Sequence, residues 1–365
     1  MQAPSPLARH ANPYIATCRK ARPPAHASAG RRLQGARAVK GDRTKLTDYL
    51  TRIGGYFELD LPERAFPHAE AILLNNGRSC MTYVFRALDV RHVHVPRFTC
   101  DVVLEPMKRL GIGYSFYGID DDFEIAEPLT LGDGEMLLVN NYFGLKDANC
   151  RRLAAEHGSK LMVDCSQAWY FDPVDGAHSF YTPRKFFGVP DGGCLHTKAV
   201  LGAALEEDVS QERLSHLIKR FESGAEAGYA DFQSNDASLN NQPMRAMSRL
   251  TRRLLGLIDH SGAAQRRKAN FATLDAELGS SNYWDWSRVE SQCPMVYPYR
   301  PQADAAELRR KLIDSKIFVA TYWPNVLSWC ASDETEYRLT AETLFLPIDQ
   351  RYGPDEMARV VEVLR

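Results

Sequence analysis

Short apolar runs alternate with helically spaced ones from about residue 44 to residue 200, which predicts an α/β sheet with crossover helices. "GGYFELDL", in which Tyr56, Glu58 and Asp60 alternate, reads as a short opening strand. Ala71 to Leu74 is an apolar run. "NNGRSC" then opens a helix with Met81, Val84, Phe85 and Leu88 on one face. "HVHVP" is a strand ending at Pro96, and Asp101 to Leu110 returns as a helix with Pro106 a kink or boundary. "YSFYGID", "EMLLVN" and "KLMVD" continue the strands, and "NCRRLAAEHG" is a helix closed by Gly158. Glu206 to Phe221 reads as helical, whereas residues 227–244 are polar, Asn-rich and aperiodic, which predicts a long loop. Leu250, Leu254, Leu257 and Ile258 suggest a connector helix. Beyond it "CPMVYPYRP", "IFVATYW" and "TLFLPI" read as strands, and Ala305, Leu308 and Leu312 mark a helix. Met357, Val360, Val361 and Leu364 form a last amphipathic stripe.

Composition narrows the partners more than the fold. The 365 residues are 44% apolar and 25% charged with a net charge of -1, which supports a buried core and gives no electrostatic case for nucleic acid. No apolar run is long enough to span a bilayer, so a small-molecule or protein partner in the cytoplasm is expected. The eight cysteines contain no C-x-x-C pair, which argues for buried free thiols in a reducing compartment and against a zinc site. Residues 1–43 are a separate case: they hold Arg and Lys among Ala, Pro and Ser with Asp42 as their only acidic residue, and read as a mobile basic extension. Residues 44–255 are then expected to form a large domain and residues 256–365 a small α+β one.

Open α/β sheets bind ligands at the carboxyl ends of their strands, so the loops after the strands carry the candidate chemistry. Asp164 ends "KLMVD" and would project its carboxylate from that edge. Gly77, Arg78 and Ser79 precede a helix whose first N–H groups and dipole suit a phosphate.

Taken together and in order, "NNGRSCMTYVFRAL", "VPRFTC", "NYFGLKDANCRRLAAEHG", "LMVDCSQAWY", "SFYTPRKFFGVPDGG" and "TLFLPI" resemble the DegT-type sugar aminotransferases over roughly residues 50–365. That family implies an aspartate-aminotransferase-like large domain with a mostly parallel central sheet, plus a small C-terminal α+β domain. It implies pyridoxal 5′-phosphate as cofactor, a keto sugar and an amino-acid donor as substrates, and a homodimer with its sites at the subunit interface. A sugar dehydratase or a non-catalytic sugar-nucleotide binder on the same fold are the alternatives.

The same resemblance assigns residues. Asp164 would keep the cofactor's pyridinium nitrogen protonated and Gln167 would contact its phenolic oxygen. Ser179 would join Gly77, Arg78 and Ser79 on the phosphate, with Asn241 reaching the neighbouring subunit's phosphate. Cys100 stands where the family often has a stacking aromatic, which leaves stacking to Phe98 or a thiol contact to Cys100. Tyr322 falls near the substrate. Counted from Ser179, the family's cofactor-bearing lysine falls on Arg184; counted back from Asp191, it falls on Lys185. Lys185 is the expected attachment point because a guanidinium cannot serve, with Arg184 a neighbour that lowers the lysine's pKa. The alternative puts Arg184 in the pocket and Lys185 in solvent.

Overall fold

The computed structural model describes residues 53–365, of which Tyr56–Arg365 form one compact unit; the basic segment 1–43 and the expected start near Thr44 lie outside the described residues. β1 (Ile72–Leu74), β2 (His92–Pro96), β3 (Gly113–Tyr117), β4 (Glu135–Asn140), β5 (Leu161–Asp164), β6 (His178–Tyr181) and β7 (Gly193–His196) share one sheet in the order β1-β7-β6-β5-β4-β2-β3. All pairings from β6 to β3 are parallel, and β7 runs antiparallel to both β6 and β1.

The central strands β4, β5 and β6 are buried on both faces, which explains why β4 and β5 read as near-continuous apolar runs. Met136, Leu138, Met162 and Phe180 point into one apolar cluster with Cys80, Val84 and Phe85 of α1 (Gly77–Ala87) and Met107 of α2 (Leu104–Leu110). Leu137, Val139, Leu161, Val163 and Tyr181 point into the other, beside α3 (Asp147–His157). Alternate residues of each strand thus serve opposite layers.

α4 (Ser215–Ser223) and α5 (Ala225–Ser238) form a helical hairpin, and α6 (Arg249–Gly256) leads to α7 (His260–Leu278). A second, two-stranded antiparallel sheet pairs β8 (Val296–Tyr299) with β9 (Leu344–Pro347). Around it stand α8 (Ala305–Asp314), α9 (Val326–Trp329), α10 (Thr335–Glu342) and α11 (Pro354–Leu364), the last packing on α7 and α8.

Several expectations need correction. Tyr56 to Asp60 forms no strand; Tyr56 and Phe57 are fully exposed and have no neighbouring strand to pair with. The loop expected over 227–244 is largely helix α5, whose aperiodic pattern reflects a helix exposed on most sides. Of Glu206 to Phe221, the first part is irregular and helix begins only at Ser215. "IFVATYW" is not a strand but contributes one bridge, Ala320 to Phe345. Of the two readings of Pro106 the boundary holds and the kink does not: it sits in the first turn of α2, where a missing N–H leaves no bond unmade.

Two glycines bring β7 against the start of α1. A Cβ on Gly193 would lie 2.6 Å from the Asn76 carbonyl oxygen and 2.8 Å from Cys80 Sγ, and the preceding Gly192 has φ of +123°. Backbone cannot yield cheaply there. Gly193→Ala is expected to cost about 1–3 kcal/mol of stability, read as a lowered urea midpoint, and to displace the N-terminus of α1.

Candidate functional site

Two polar residues, Asn140 and Asp164, stand side by side at the carboxyl edge of the sheet. In the register, Asn140 of β4 pairs with Asp164 of β5, and Asp164 with Phe180 of β6, so all three side chains leave the sheet on the α1 face. Asp164 Oδ1 accepts from Ser166 N at 2.7 Å. Burial raises the Asp164 pKa, an effect offset by the positive charge of Lys185 and by the Ser166 N–H. Asn140 donates to Thr99 Oγ1 at 3.1 Å while its own Oδ1 is buried without a partner.

Gln167 is fixed from the neighbouring loop. Phe143 N donates to Gln167 Oε1 at 3.2 Å, from a backbone held at φ of 57°, a left-handed conformation unusual for phenylalanine. Gln167 Nε2 is buried and has no partner, so the amide is oriented with its donor free.

Lys185 closes the turn Pro183–Lys185 and is exposed to an open cavity of about 770 Å³. Its charge is near enough to act on the Asp164 carboxyl and on the Cys100 thiol, whose pKa burial raises and Lys185 draws back down. Arg184 lines the same cavity but is paired elsewhere. It ion-pairs with Asp236 of α5 at 3.1 Å, and burial lowers its pKa while Asp236 opposes that shift. The adjacent basic residues thus differ in partner: the lysine acts on the Asp164 carboxyl and the arginine is paired with α5.

α1 begins beside this turn. Asn76 caps it by accepting from Ser79 N at 2.8 Å. A Cβ on Gly77 would lie 2.9 Å from Thr182 Cγ2, which places Thr182 at the helix N-terminus. Thr182 Oγ1 is buried and unpartnered. Ser79 Oγ is spent on Asn75 Oδ1 at 2.6 Å, and Arg78 is engaged by Glu105 and Asn240, both at 2.7 Å.

Other sequence-derived candidates are placed elsewhere. Ser179 pairs with Val163 and so faces the opposite side of the sheet from Asp164, with Tyr181, which stacks on His68. Its hydroxyl is buried and unpartnered, but away from the α1 N-terminus. Phe98 is 0% exposed and packed among Phe123, Tyr142 and Trp323, so it belongs to the core and is not free to stack on a ligand. Cys100, two residues on, is the one beside Lys185. Asn241 is exposed at φ of 54°, next to the Asn240 that binds Arg78. Tyr322 packs against Phe143, Trp323 and Phe345; burial raises its pKa and the charge of Arg267 opposes the rise.

Sequence reasoning missed Thr182, Asn140 and Arg267. Thr182 was available as a hydroxyl three residues before Lys185, hidden because the count was taken from Ser179. Asn140 carried the signal Asp164 did, a polar residue ending an apolar strand. Arg267 lies on α7, whose buried side runs Ala263, Arg267, Asn270, Leu274 and Leu278, and the two polar members break the apolar stripe that marks a helix.

No protein-family model and no curated protein sequence matches this chain. Solved structures match it in fold. The aminotransferase TlmJ from Streptoalloteichus hindustanus is 16% identical, with 80% of this chain and 84% of that one covered at a TM-score of 0.57. Spr1654 of Streptococcus pneumoniae, assigned as a sugar aminotransferase and solved in its PLP form, is 13% identical over 90% of this chain and 96% of that one, at 0.59. The E coli GDP-4-keto-6-deoxy-D-mannose-3-dehydratase with bound hydrated PLP is 16% identical over 81% and 87%, at 0.55. The chain therefore has the aspartate-aminotransferase-like fold: a seven-stranded, mostly parallel central sheet and a small separate antiparallel one.

Proposed function

We propose that this chain is a pyridoxal-phosphate-dependent aminotransferase that moves an amino group from an amino-acid donor to a keto sugar, most plausibly a nucleotide-linked one. One observation carries the reading: at the carboxyl edge of this fold the primary amine of Lys185 is near enough to the half-buried Asp164 carboxyl to draw its pKa down.

The residues present fit the cofactor. Asp164 would hold the pyridinium nitrogen, and the unpartnered Nε2 of Gln167 would donate to the phenolic oxygen. The first N–H groups of α1 and the unpartnered Thr182 Oγ1 suit the phosphate, a role that we assign to Thr182 in place of Ser179. When bound, pyridoxal phosphate supplies an electron sink for charge developing at the donor's α-carbon. Asp164 holds a compensating negative charge at the edge of the sheet. Lys185 Nζ, the amine that anchors the cofactor, is also the base that takes the proton from the donor's α-carbon. Cys100 lines the space beside it with a polarisable thiol.

Lysine at position 185 favours amino transfer over dehydration. Exposed Phe221, Tyr229 and Phe232 on the α4–α5 hairpin, two of them lining the Lys185 cavity, support a homodimer that covers this side. In that dimer Asn241 would reach the partner's phosphate. Residues 44–255 would hold the cofactor and residues 256–365 would supply the opposite cavity wall. Among the described residues no helix is long and apolar enough to cross a membrane, which accords with the cytoplasmic setting proposed.

Cofactor-loaded protein mixed with glutamate is expected to release 2-oxoglutarate in one stoichiometric burst and then to aminate a nucleotide-linked keto sugar. Sugar dehydration without 2-oxoglutarate release would instead identify the dehydratase. Thr182→Val is expected to weaken cofactor affinity roughly ten- to hundredfold, as loss of a hydrogen bond to a charged group implies, with unchanged melting of the cofactor-free protein. Equilibrium dialysis against pyridoxal phosphate measures it.

A further inference from the structure

Helix α7 carries a buried arginine that, among the described residues, has no carboxylate in contact with it. Arg267 is 2% exposed, and its guanidinium lies 4.5 Å over the ring of Phe186, the residue after Lys185. Its Nε donates to Gln350 Oε1 at 2.9 Å and its Nη1 to the Met295 carbonyl at 3.0 Å. A guanidinium has five N–H donors, so three remain.

Among the described residues no carboxylate pairs with it. Asp349 lines the same cavity, but Arg351 engages it through Nε at 2.6 Å and Nη2 at 2.8 Å. Burial lowers the Arg267 pKa, and the charge of Asp349, which is bonded to Arg351, opposes that shift from a distance without contact. An unpaired buried cation is costly, and such groups persist where a ligand completes them.

The guanidinium is also held rigidly between the two halves of the site. Gln350 Nε2 donates to the Phe186 carbonyl at 2.8 Å, which ties the arginine's partner to the Lys185 turn. Met295 N donates to the Phe143 carbonyl at 2.8 Å, and Phe143 N donates to Gln167, which ties it to the loop that orients Gln167. The result is a fixed planar fork in the wall of the Lys185 cavity.

We propose that Arg267 is the anchor for a carboxylate of the amino-acid donor. A planar carboxylate matches a fixed guanidinium through paired hydrogen bonds. A nucleotide phosphate would meet exposed Arg220, in the same cavity lining, instead. The identity of the ligand as an amino donor rests on the aminotransferase reading, whereas the anion site rests on the residues alone.

Glutarate, a dicarboxylate with no group to react, is the probe. Calorimetric titration into cofactor-loaded protein is expected to show binding that Arg267→Met weakens at least about tenfold, while Arg220→Gln changes it less than about twofold. Cofactor-free Arg267→Met is expected to melt at or above the wild-type temperature, because it loses an unpaired buried charge. A folded Arg267→Met with wild-type glutarate affinity overturns the proposal, as does an equal loss in Arg220→Gln. Inorganic phosphate that binds at this site more tightly than glutarate, and is lost in Arg267→Met, overturns the carboxylate assignment. Should the methionine variant fail to fold, Arg267→Lys keeps the charge without the fork and is expected to weaken glutarate at least about fivefold; unchanged affinity there also overturns the anchor. Cofactor trapping on Lys185 is scored in the same preparations. A missing adduct indicts the cofactor reading, and an adduct with Arg267-insensitive binding indicts the anchor alone.

Discussion

Lys185→Ala is expected to lower the rate of amino transfer at least about ten-thousandfold, since in the proposed function one amine would both anchor the cofactor and move the α-proton. Lys185→Arg is expected to be equally inactive, because a guanidinium stays protonated and cannot form the covalent link. Arg184→Gln separates the neighbours. It removes the partly exposed pair with Asp236 at 3.1 Å, costs less than about 1 kcal/mol of stability, and is expected to retain most activity. Single-turnover kinetics with glutamate measure all three. An active Lys185→Ala beside an inactive Arg184→Gln would reverse the assignment.

Asp164→Asn is expected to cut activity roughly a hundred- to a thousandfold, the scale seen when a fixed charge is removed from a reacting centre. It also changes stability in a direction that a merely structural aspartate would not. Burial raises the Asp164 pKa in the folded, cofactor-free protein, so the native state holds this proton more tightly than the unfolded chain, whose value is 3.8. Native binding of more protons means that stability falls as pH rises from about 3.8 through the folded value. Asp164→Asn removes that contribution. Its cofactor-free form is expected to lose less stability than wild type across that window and to be at least as stable at neutral pH. Asp147 and Asp191 are also raised by burial, but they are common to both proteins and cancel in the difference. Urea unfolding at several pH values checks this. A variant markedly less stable at pH 7 would mean that Asp164 serves chiefly as an ionised acceptor for the Ser166 N–H.

What the chain reveals before folding depends on how locally each feature is determined. Strands β4, β5 and β9 were legible because burial makes them short apolar runs, and β2 because its valines alternate with half-buried histidines. Helices α1, α8 and α11 were legible because each buries one stripe. Tyr56 to Asp60 has the alternation of a strand but no neighbour to pair with, and pairing is not encoded within the segment. α5 has no stripe because so little of it is buried, and α7 has a polar one because Arg267 and Asn270 occupy its core side.

The site divides in the same way. Asp164 and Gln167 follow from one strand end and its loop, so their meeting could be read in advance. Which face Ser179 takes depends on its register with Val163, and Phe98 is withdrawn by packing with Trp323, more than two hundred residues away. Thr182 and Arg267 acquire meaning only when α1 and α7 are brought to the Lys185 turn. Local counting could narrow the covalent anchor to two adjacent residues. Their tertiary contacts differ, with Asp236 on the arginine and Asp164 near the lysine, and the proposal puts the anchor on the lysine.

The central claim is that Lys185 carries the cofactor, and borohydride trapping tests it most directly. Protein incubated with pyridoxal phosphate is reduced, digested and mapped for the modified peptide. The expected result is a single pyridoxyl adduct on Lys185 in the Thr182-to-Gly188 segment, absent from Lys185→Ala. Cofactor bound tightly with no reducible adduct at Lys185, or an adduct confined to other lysines, would contradict the account.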